Sequence, residues 1–488
     1  MIIKRIGLFV LIGLVFFGCL STGSGSVGNE PPLTLTIGDS RKLTLSGTPA
    51  GPVTWTSSDP EVVSVTDDGT VTALGFTSRG SDSFVSGPAT GMATITATAE
   101  GRFSEAFTVI TTTAGRVDMM NLPPLKDQFN QYFMMGNIFN PNDALSASGV
   151  NNERLIHHYN ILTAENHMKP DQITRSQNSY DFSTADRMVN AAIASGFKVH
   201  GHTFLWHSQI PAWQAEIGGR RGTQGNFTWN ASDVMDRAAA LTAMRRYITD
   251  VAGHFRGRVY SWDVINEVFP DSVTVSSDWR TSMRTIGDSQ APNPWYVAIG
   301  ADFVYYAFLA ARQADPNAIL YYNDYNTDQV GKATMIRNMV RDVNARYKQE
   351  FPNETRLLIE GIGIQEHHNI STWIANVRRS LDMFRPLGVI ISVSELDILG
   401  QGWTDFSRIG SGSNRDSRST VTNRGITEQA RLYSEYMKLY IENADIIERV
   451  SLWGVTDDRS WRSAGLPLLF DHNDRAKPAY YGLISALN

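Results

Sequence analysis

At 488 residues the chain exceeds one ordinary hydrophobic core, so two or more domains are expected. Hydrophobic residues at 42% against only 19% charged exclude a disordered polymer, and 43 basic against 49 acidic residues, a net charge of −6, leave no basic footprint for nucleic acid. One cysteine in the whole chain excludes a disulfide framework, a thiolate zinc site and an iron–sulfur cluster.

Residues 1–19 open with Lys4 and Arg5, continue as an uncharged apolar run from Ile6 to Phe17, and stop at Gly18-Cys19. That is the grammar of an export signal, too short to span a bilayer comfortably. The Ser, Gly and Thr of residues 20–32 then read as a flexible tether. The ending resembles a bacterial lipoprotein signal, which implies that Cys19 is the lipidated first residue of the mature chain; a plain secretory signal containing a cysteine is the alternative. Either reading implies export, to the cell surface or outer membrane as a lipoprotein, or as a secreted protein.

Residues 33–113 alternate Thr, Val and Ser with turn residues, as in Leu33–Ile37, Arg41–Leu45, Val53–Thr56, Thr94–Thr98 and Phe107–Ile110, with Ser58-Asp59-Pro60 and Asp67-Asp68-Gly69 between them. Period-two alternation broken by turns predicts a small sandwich of antiparallel strands. The runs Val53–Val62, Val65–Ala73 and Gly91–Ala97 resemble a bacterial Ig-like domain of group 2. No carboxylate pair or histidine cluster lies there, so the module reads as a spacer or adhesion unit, with Trp55 expected in its core and Gly75–Gly91 as a long loop. Residues 114–121 read as a linker.

From residue 122 to 488, apolar strand-like runs alternate with amphipathic helical ones, Asp233–His254 and Pro294–Ala314 among the latter. This alternation predicts an α/β fold with a parallel sheet, and its length suits a (β/α)8 TIM barrel. The strand-like runs end in polar residues: His202, Asn266-Glu267, Asn323-Asp324, Gln365 with His367, and Glu395 with Asp397. In such barrels the carboxyl ends of the strands converge on one pocket, so these residues are the candidate site. Two ends carry a glutamate, Glu267 and Glu395. A facing carboxyl pair is what glycosidic cleavage needs, one to protonate the leaving oxygen and one to meet the charge on the anomeric carbon.

Seven blocks in order, Thr163–Pro170, Gly201–His207, Trp262–Glu267, Tyr321–Asn326, Gly361–Gln365, Ser394–Asp397 and Leu452–Asp457 with Trp461, resemble glycoside hydrolase family 10, the endo-β-1,4-xylanases. The resemblance implies retaining cleavage of xylan, with Glu267 as general acid/base and Glu395 as nucleophile. It implies that Asn266 bonds the sugar 2-hydroxyl, that His367 orients the nucleophile and that Asp397 stands behind His367. It further implies sugar contacts from Glu165, Asn166, Lys169, His202, Trp206 and Gln365, an aromatic lid of Trp453 and Trp461, and a place for Tyr325 among them. Flat rings and fixed polar groups suit the C–H faces and hydroxyl rims of sugars.

Against the family pattern, Ser394 stands where Thr is usual, and Glu366 adds a carboxylate that could raise the pKa of a neighbour or face solvent. The stretches 215–230 and 400–425 read as enlarged polar loops. Adjacent histidine pairs such as His157-His158 and His367-His368 rarely converge on one ion, and Ile409–Ser413 follows no phosphate-cradle pattern, so neither metal nor cofactor is expected. The expected partner is xylan or a xylo-oligosaccharide, with a membrane reached only through Cys19 and a monomeric state. Another β-glycan such as cellulose or mannan, or a non-catalytic surface adhesion role, are the competing readings.

Overall fold

The computed structural model describes residues 33–36, 39–60, 62–74, 91–100, 103–112, 117–223, 226–285, 292–402, 421 and 423–487. The export segment with Cys19, the tether, most of Gly75–Gly91, the Ile409–Ser413 patch and most of 400–425 lie outside them. The described residues form two compact units that part after Thr112.

The first unit holds two sheets. One has the order β1 (Leu33–Thr36), β7 (Phe103–Thr112), β6 (Gly91–Ala99), β3 (Thr54–Ser57); the other has β2 (Ser40–Lys42), β5 (Thr70–Ala73), β4 (Val63–Val65). Alternation buries Ala93, Ile95 and Ala97 of β6 and Val71 and Ala73 of β5, and these join Leu35, Val62, Val63 and Val109 inside. This is the Ig-like sandwich that the period-two pattern predicts. Two details differ from expectation. The pairing of β1 with β7 is parallel, because β1 joins the sheet edge beside the last strand of the unit. Trp55, on the edge strand β3, packs against the core but is half-buried rather than enclosed, its ring on Phe107 with centroids 6.0 Å apart and close against Gly69.

In the second unit eight parallel strands close on themselves: β8 (Met134–Phe139), β9 (Ile161–Ala164), β12 (Lys198–Leu205), β15 (Ser261–Asn266), β16 (Ile319–Asp324), β17 (Gly361–Ile364), β19 (Ile390–Leu399) and β20 (Ile447–Leu452), which returns to β8. This is the (β/α)8 barrel. Strands walled on both faces read as the near-continuous apolar runs seen in the sequence. Inside, small residues make room for large ones across the strands. A side chain at Gly201 would overlap the Trp262 ring, and one at Gly363 would overlap the Asn323 carboxamide, which the β16–β17 register places directly opposite.

Several expected boundaries move. The polar stretch 215–230 is mostly an antiparallel hairpin, β13 (Gly218–Thr223) with β14 (Asn226–Val234), the second in this unit after β10 (Thr174–Ser176) with β11 (Ser179–Tyr180). The helix expected from Asp233 therefore starts at Arg237, where the Asp236 carboxylate caps the amides of Ala238 and Ala239. The helix expected over Pro294–Ala314 is two, Pro294–Ile299 and Phe303–Ala314, parted at Gly300, whose φ of +80° no helix interior allows. The stretch expected as linker contributes Met119, fully buried, to the barrel core.

Candidate active site

The sequence-flagged residues converge at the carboxyl ends of the barrel strands. Glu267 follows β15 directly and is held in the left-handed region at φ +58°. A non-glycine residue there costs roughly 1–2 kcal/mol and persists only when its surroundings fix it. Here the Glu267 amide donates to the Asn323 carbonyl at 2.9 Å, and the Val268 amide donates to the Tyr322 hydroxyl at 3.1 Å. The carboxylate accepts from Trp206 Nε1 at 2.8 Å on one oxygen, and from Gln365 Nε2 at 2.9 Å and Asn266 Nδ2 at 3.2 Å on the other.

Glu395 lies within β19. Its Oε1 accepts from Asn323 Nδ2 at 2.8 Å and its Oε2 meets His367 Nε2 at 3.2 Å. His367 comes from the short strand β18 (His367–Asn369), which pairs with the outer half of β19 and sets His367 opposite Asp397. The other imidazole nitrogen, Nδ1, bonds Asp397 at 3.0 Å, and Asp397 is also paired to Arg462. Burial opposes a charge on His367, but Asp397 and Glu395 outweigh it and lift the imidazole to about 9. Asp397 is buried too, which favours its proton; Arg462 and the imidazolium prevail and hold its carboxyl below the usual range.

Three amides join the two carboxylates. Asn323 Nδ2 donates to Glu395 and, at 2.9 Å, to Asn266 Oδ1; Gln365 Nε2 donates to the same Asn266 oxygen at 3.2 Å and to Glu267. All three are buried. The two glutamates are therefore joined by one network of side-chain amides.

The remaining candidates ring this pair. Lys169 is buried, not a solvated lysine: Nζ donates to Asn166 at 3.0 Å and Gln209 at 2.7 Å and lies 5.1 Å from the Trp206 ring centroid. Burial lowers its pKa, countered by Glu395, Glu165 and Glu267. Glu165, half-buried beside it, has its pKa raised by burial against the pull of Lys169. His202 Nδ1 is 2.9 Å from Asp263, and its ring meets Trp453 edge-on at 5.7 Å. Trp453 is buried, whereas Trp461 is 56% exposed and meets His367 edge-on at 5.2 Å, so one lid residue is a wall and the other a flap edge. Tyr325 is pinned: its hydroxyl bonds Asp271 and accepts from Arg284 at 3.1 Å, and Lys332 Nζ lies 3.6 Å from its ring centre.

Glu366 resolves one open expectation. It does not face solvent; it is buried at φ +58°, bonded to His368 at 2.7 Å and to the Tyr440 hydroxyl at 3.0 Å, and its charge contributes to the raised pKa of Asp328, which burial dominates. The turn it anchors presents Gln365 to Glu267 and His367 to Glu395. Sequence reasoning missed Gln209 and Arg462, single polar residues in loops, and gave Asn323 no task although it ends a strand.

A barrel with two buried, jointly bonded carboxylates at its carboxyl end has the arrangement that a glycoside-cleaving class of protein requires. The comparisons agree: residues 124–486 match the model of glycosyl hydrolase family 10, and the chain belongs to that family. The crystal structure of a bacterial Ig-like-domain-containing family 10 xylanase from termite gut is 54% identical, covering 93% of this chain and 98% of that one with a TM-score of 0.74. An intracellular xylanase from Thermoanaerobacterium saccharolyticum, solved as an alanine mutant in complex with xylotetraose, is 30% identical over 74% of this chain and 98% of its own, TM-score 0.59. Endo-1,4-beta-xylanase A of Thermotoga neapolitana is 32% identical over 77% of this chain but only 32% of its own length, so the chain spans about a third of that relative.

Proposed function

We propose that this chain is an endo-β-1,4-xylanase acting by retaining double displacement, with Glu267 as general acid/base and Glu395 as nucleophile. One observation carries the reading: both carboxylates hang from a single buried amide network at the barrel mouth, each with a further partner suited to its task. Glu395 is held by Asn323 and His367, which fix its carboxylate for attack on the anomeric carbon. Glu267 stands beside Trp206, at the side where Lys169 and Asn166 offer polar groups to a sugar. In the first step Glu267 protonates the leaving oxygen while Glu395 bonds the anomeric carbon; in the second Glu267 removes a proton from water, which displaces Glu395 with net retention. Asn266, bonded to Glu267 and through Asn323 to Glu395, would bond the 2-hydroxyl. The xylotetraose complex of the related xylanase supports xylan as the substrate.

The test is substrate and stereochemistry together. Reducing ends should appear fast on arabinoxylan and slowly on carboxymethyl-cellulose and mannan, and NMR should show the β-anomer as first product. A carboxyl separation of roughly 5–5.5 Å goes with retention; the α-anomer would contradict the assignment.

We further propose that a lipid on Cys19 holds a monomeric enzyme at the exterior, with the Ig-like unit as spacer. The charged, apolar, Gly-Cys order of residues 4–19 supports it. Among the described residues no helix is long and apolar enough to cross a membrane. Fatty-acid labelling of the wild type but not of Cys19→Ser checks the anchor, and light scattering checks the monomer.

A further inference from the structure

We propose that Ser394 is a positioning residue for the nucleophile: its hydroxyl holds the Asn323 carbonyl so that the amide nitrogen stays divided between Glu395 and Asn266. The inference rests on the assignment of Glu395 as nucleophile and adds the group that orients its donor. Ser394 Oγ donates to Asn323 Oδ1 at 2.7 Å, while Asn323 Nδ2 donates to Glu395 Oε1 at 2.8 Å and to Asn266 Oδ1 at 2.9 Å. Asn323 is fully buried and Ser394 nearly so, so no bulk water can replace a lost partner.

Neighbours in a strand normally point to opposite faces, so Ser394 and Glu395 should not reach the same amide. They do, because the β19–β20 register shifts between Val393 and Leu396, where a local irregularity turns both side chains inward. The nucleophile and the residue that orients its donor are therefore consecutive in the chain and meet on one carboxamide. Removing the hydroxyl strands a buried carbonyl, and the amide relieves it only by turning, which weakens or reverses its donation to Glu395. A donor on the carbonyl also polarises the amide and strengthens both of its N–H bonds. Flexibility of the site is limited from behind as well, since Gly363 leaves just the space that the Asn323 carboxamide fills.

The matched pair Ser394→Thr and Ser394→Val has the same shape and differs in one hydroxyl. Thr should keep wild-type kcat on xylan, whereas Val, and Ser394→Ala, should lose roughly 10- to 100-fold in kcat. The acid limb of kcat/KM should move to higher pH in Val and Ala but not in Thr, because the nucleophile loses a donor. His367 from β18, Lys169 from the segment after β9, Asp397 on β19 and Glu267 after β15 are the other charged groups around Glu395, and all remain in each variant. Asn323→Ala should shift the same limb, and the Ser394→Ala, Asn323→Ala double variant should be no worse than Asn323→Ala alone. If Val and Ala match Thr in kcat and in the acid limb, or if the double variant loses the sum of both effects, the proposal is overturned. A failure of the nucleophile assignment shows separately, as activity surviving in Glu395→Ala.

Discussion

The sandwich and the barrel bury different kinds of side chain. Among the described residues of the sandwich, Thr111 is the one buried polar group, and the core is Leu35, Val62, Val63, Val71, Ala73, Leu74, Ala93, Ile95, Ala97 and Val109. The barrel encloses His202, Asp263, Asn266, Glu267, Asn323, Gln365, Ser394, Glu395 and Asp397 in addition to a far larger apolar core. Enclosing charge is costly unless each group is partnered, and well-packed apolar residues would often serve stability as well or better. The barrel retains these groups cross-bonded at one end of its strands, where chemistry needs them. The described residues of the sandwich hold no such cluster.

The sharpest way to break that contrast is Glu395→Ala, which should lower kcat on xylan by ~10^4-fold or more while far-UV circular dichroism stays that of the wild type. Wild-type turnover would remove the chemical meaning of the buried polar end. Next in size is Asp397→Asn, which takes the strongest partner from His367. The imidazole, at about 9 in the intact protein, should then titrate nearer to its ordinary 6.5, visible by NMR, with kcat lowered by about 10^2-fold. An unmoved titration would mean that Asp397 does not hold the charge.

On the sandwich side, Ile95→Ala removes a fully buried side chain and should destabilise that unit by roughly 2–5 kcal/mol in denaturant unfolding, with kcat on soluble xylo-oligosaccharide unchanged. A fall in kcat would tie the units together functionally. Barrel stability should also depend on pH. The folded pKa of His367 is raised from 6.5 to about 9, so its contribution is complete below pH 6.5 and is lost as pH rises through 9, on the order of 3 kcal/mol in all. Thermal melts should show the barrel transition weakening over that window, and His367→Asn should flatten it.

Much of this is legible in the sequence alone. Glu267 and Glu395 are readable because each ends a strand-like run, and polar residues at such ends have few structural reasons to be there. What stayed hidden depends on register. Asn323 looks like one more strand-end amide until the parallel pairing sets it opposite Asn266 on one side and Gly363 on the other. Ser394 looks like a conservative departure until the strand irregularity turns it inward. Arg462 reaches Asp397 across 65 residues of sequence, a distance over which no local pattern speaks. The helix break at Gly300 was visible as a glycine but not as a left-handed one, since an isolated glycine within a helical pattern is often tolerated.

Gly363 has no side chain to present to a carboxylate or a sugar, yet the Asn323 carboxamide occupies the space where one would stand. Any other residue there evicts Asn323, and with it the link between nucleophile and acid. Substitution at that position would thus act like an inhibitor built into the wall: it would silence the enzyme without altering one reactive atom, and a survey of inactive variants could trace its damage to an atom that is absent.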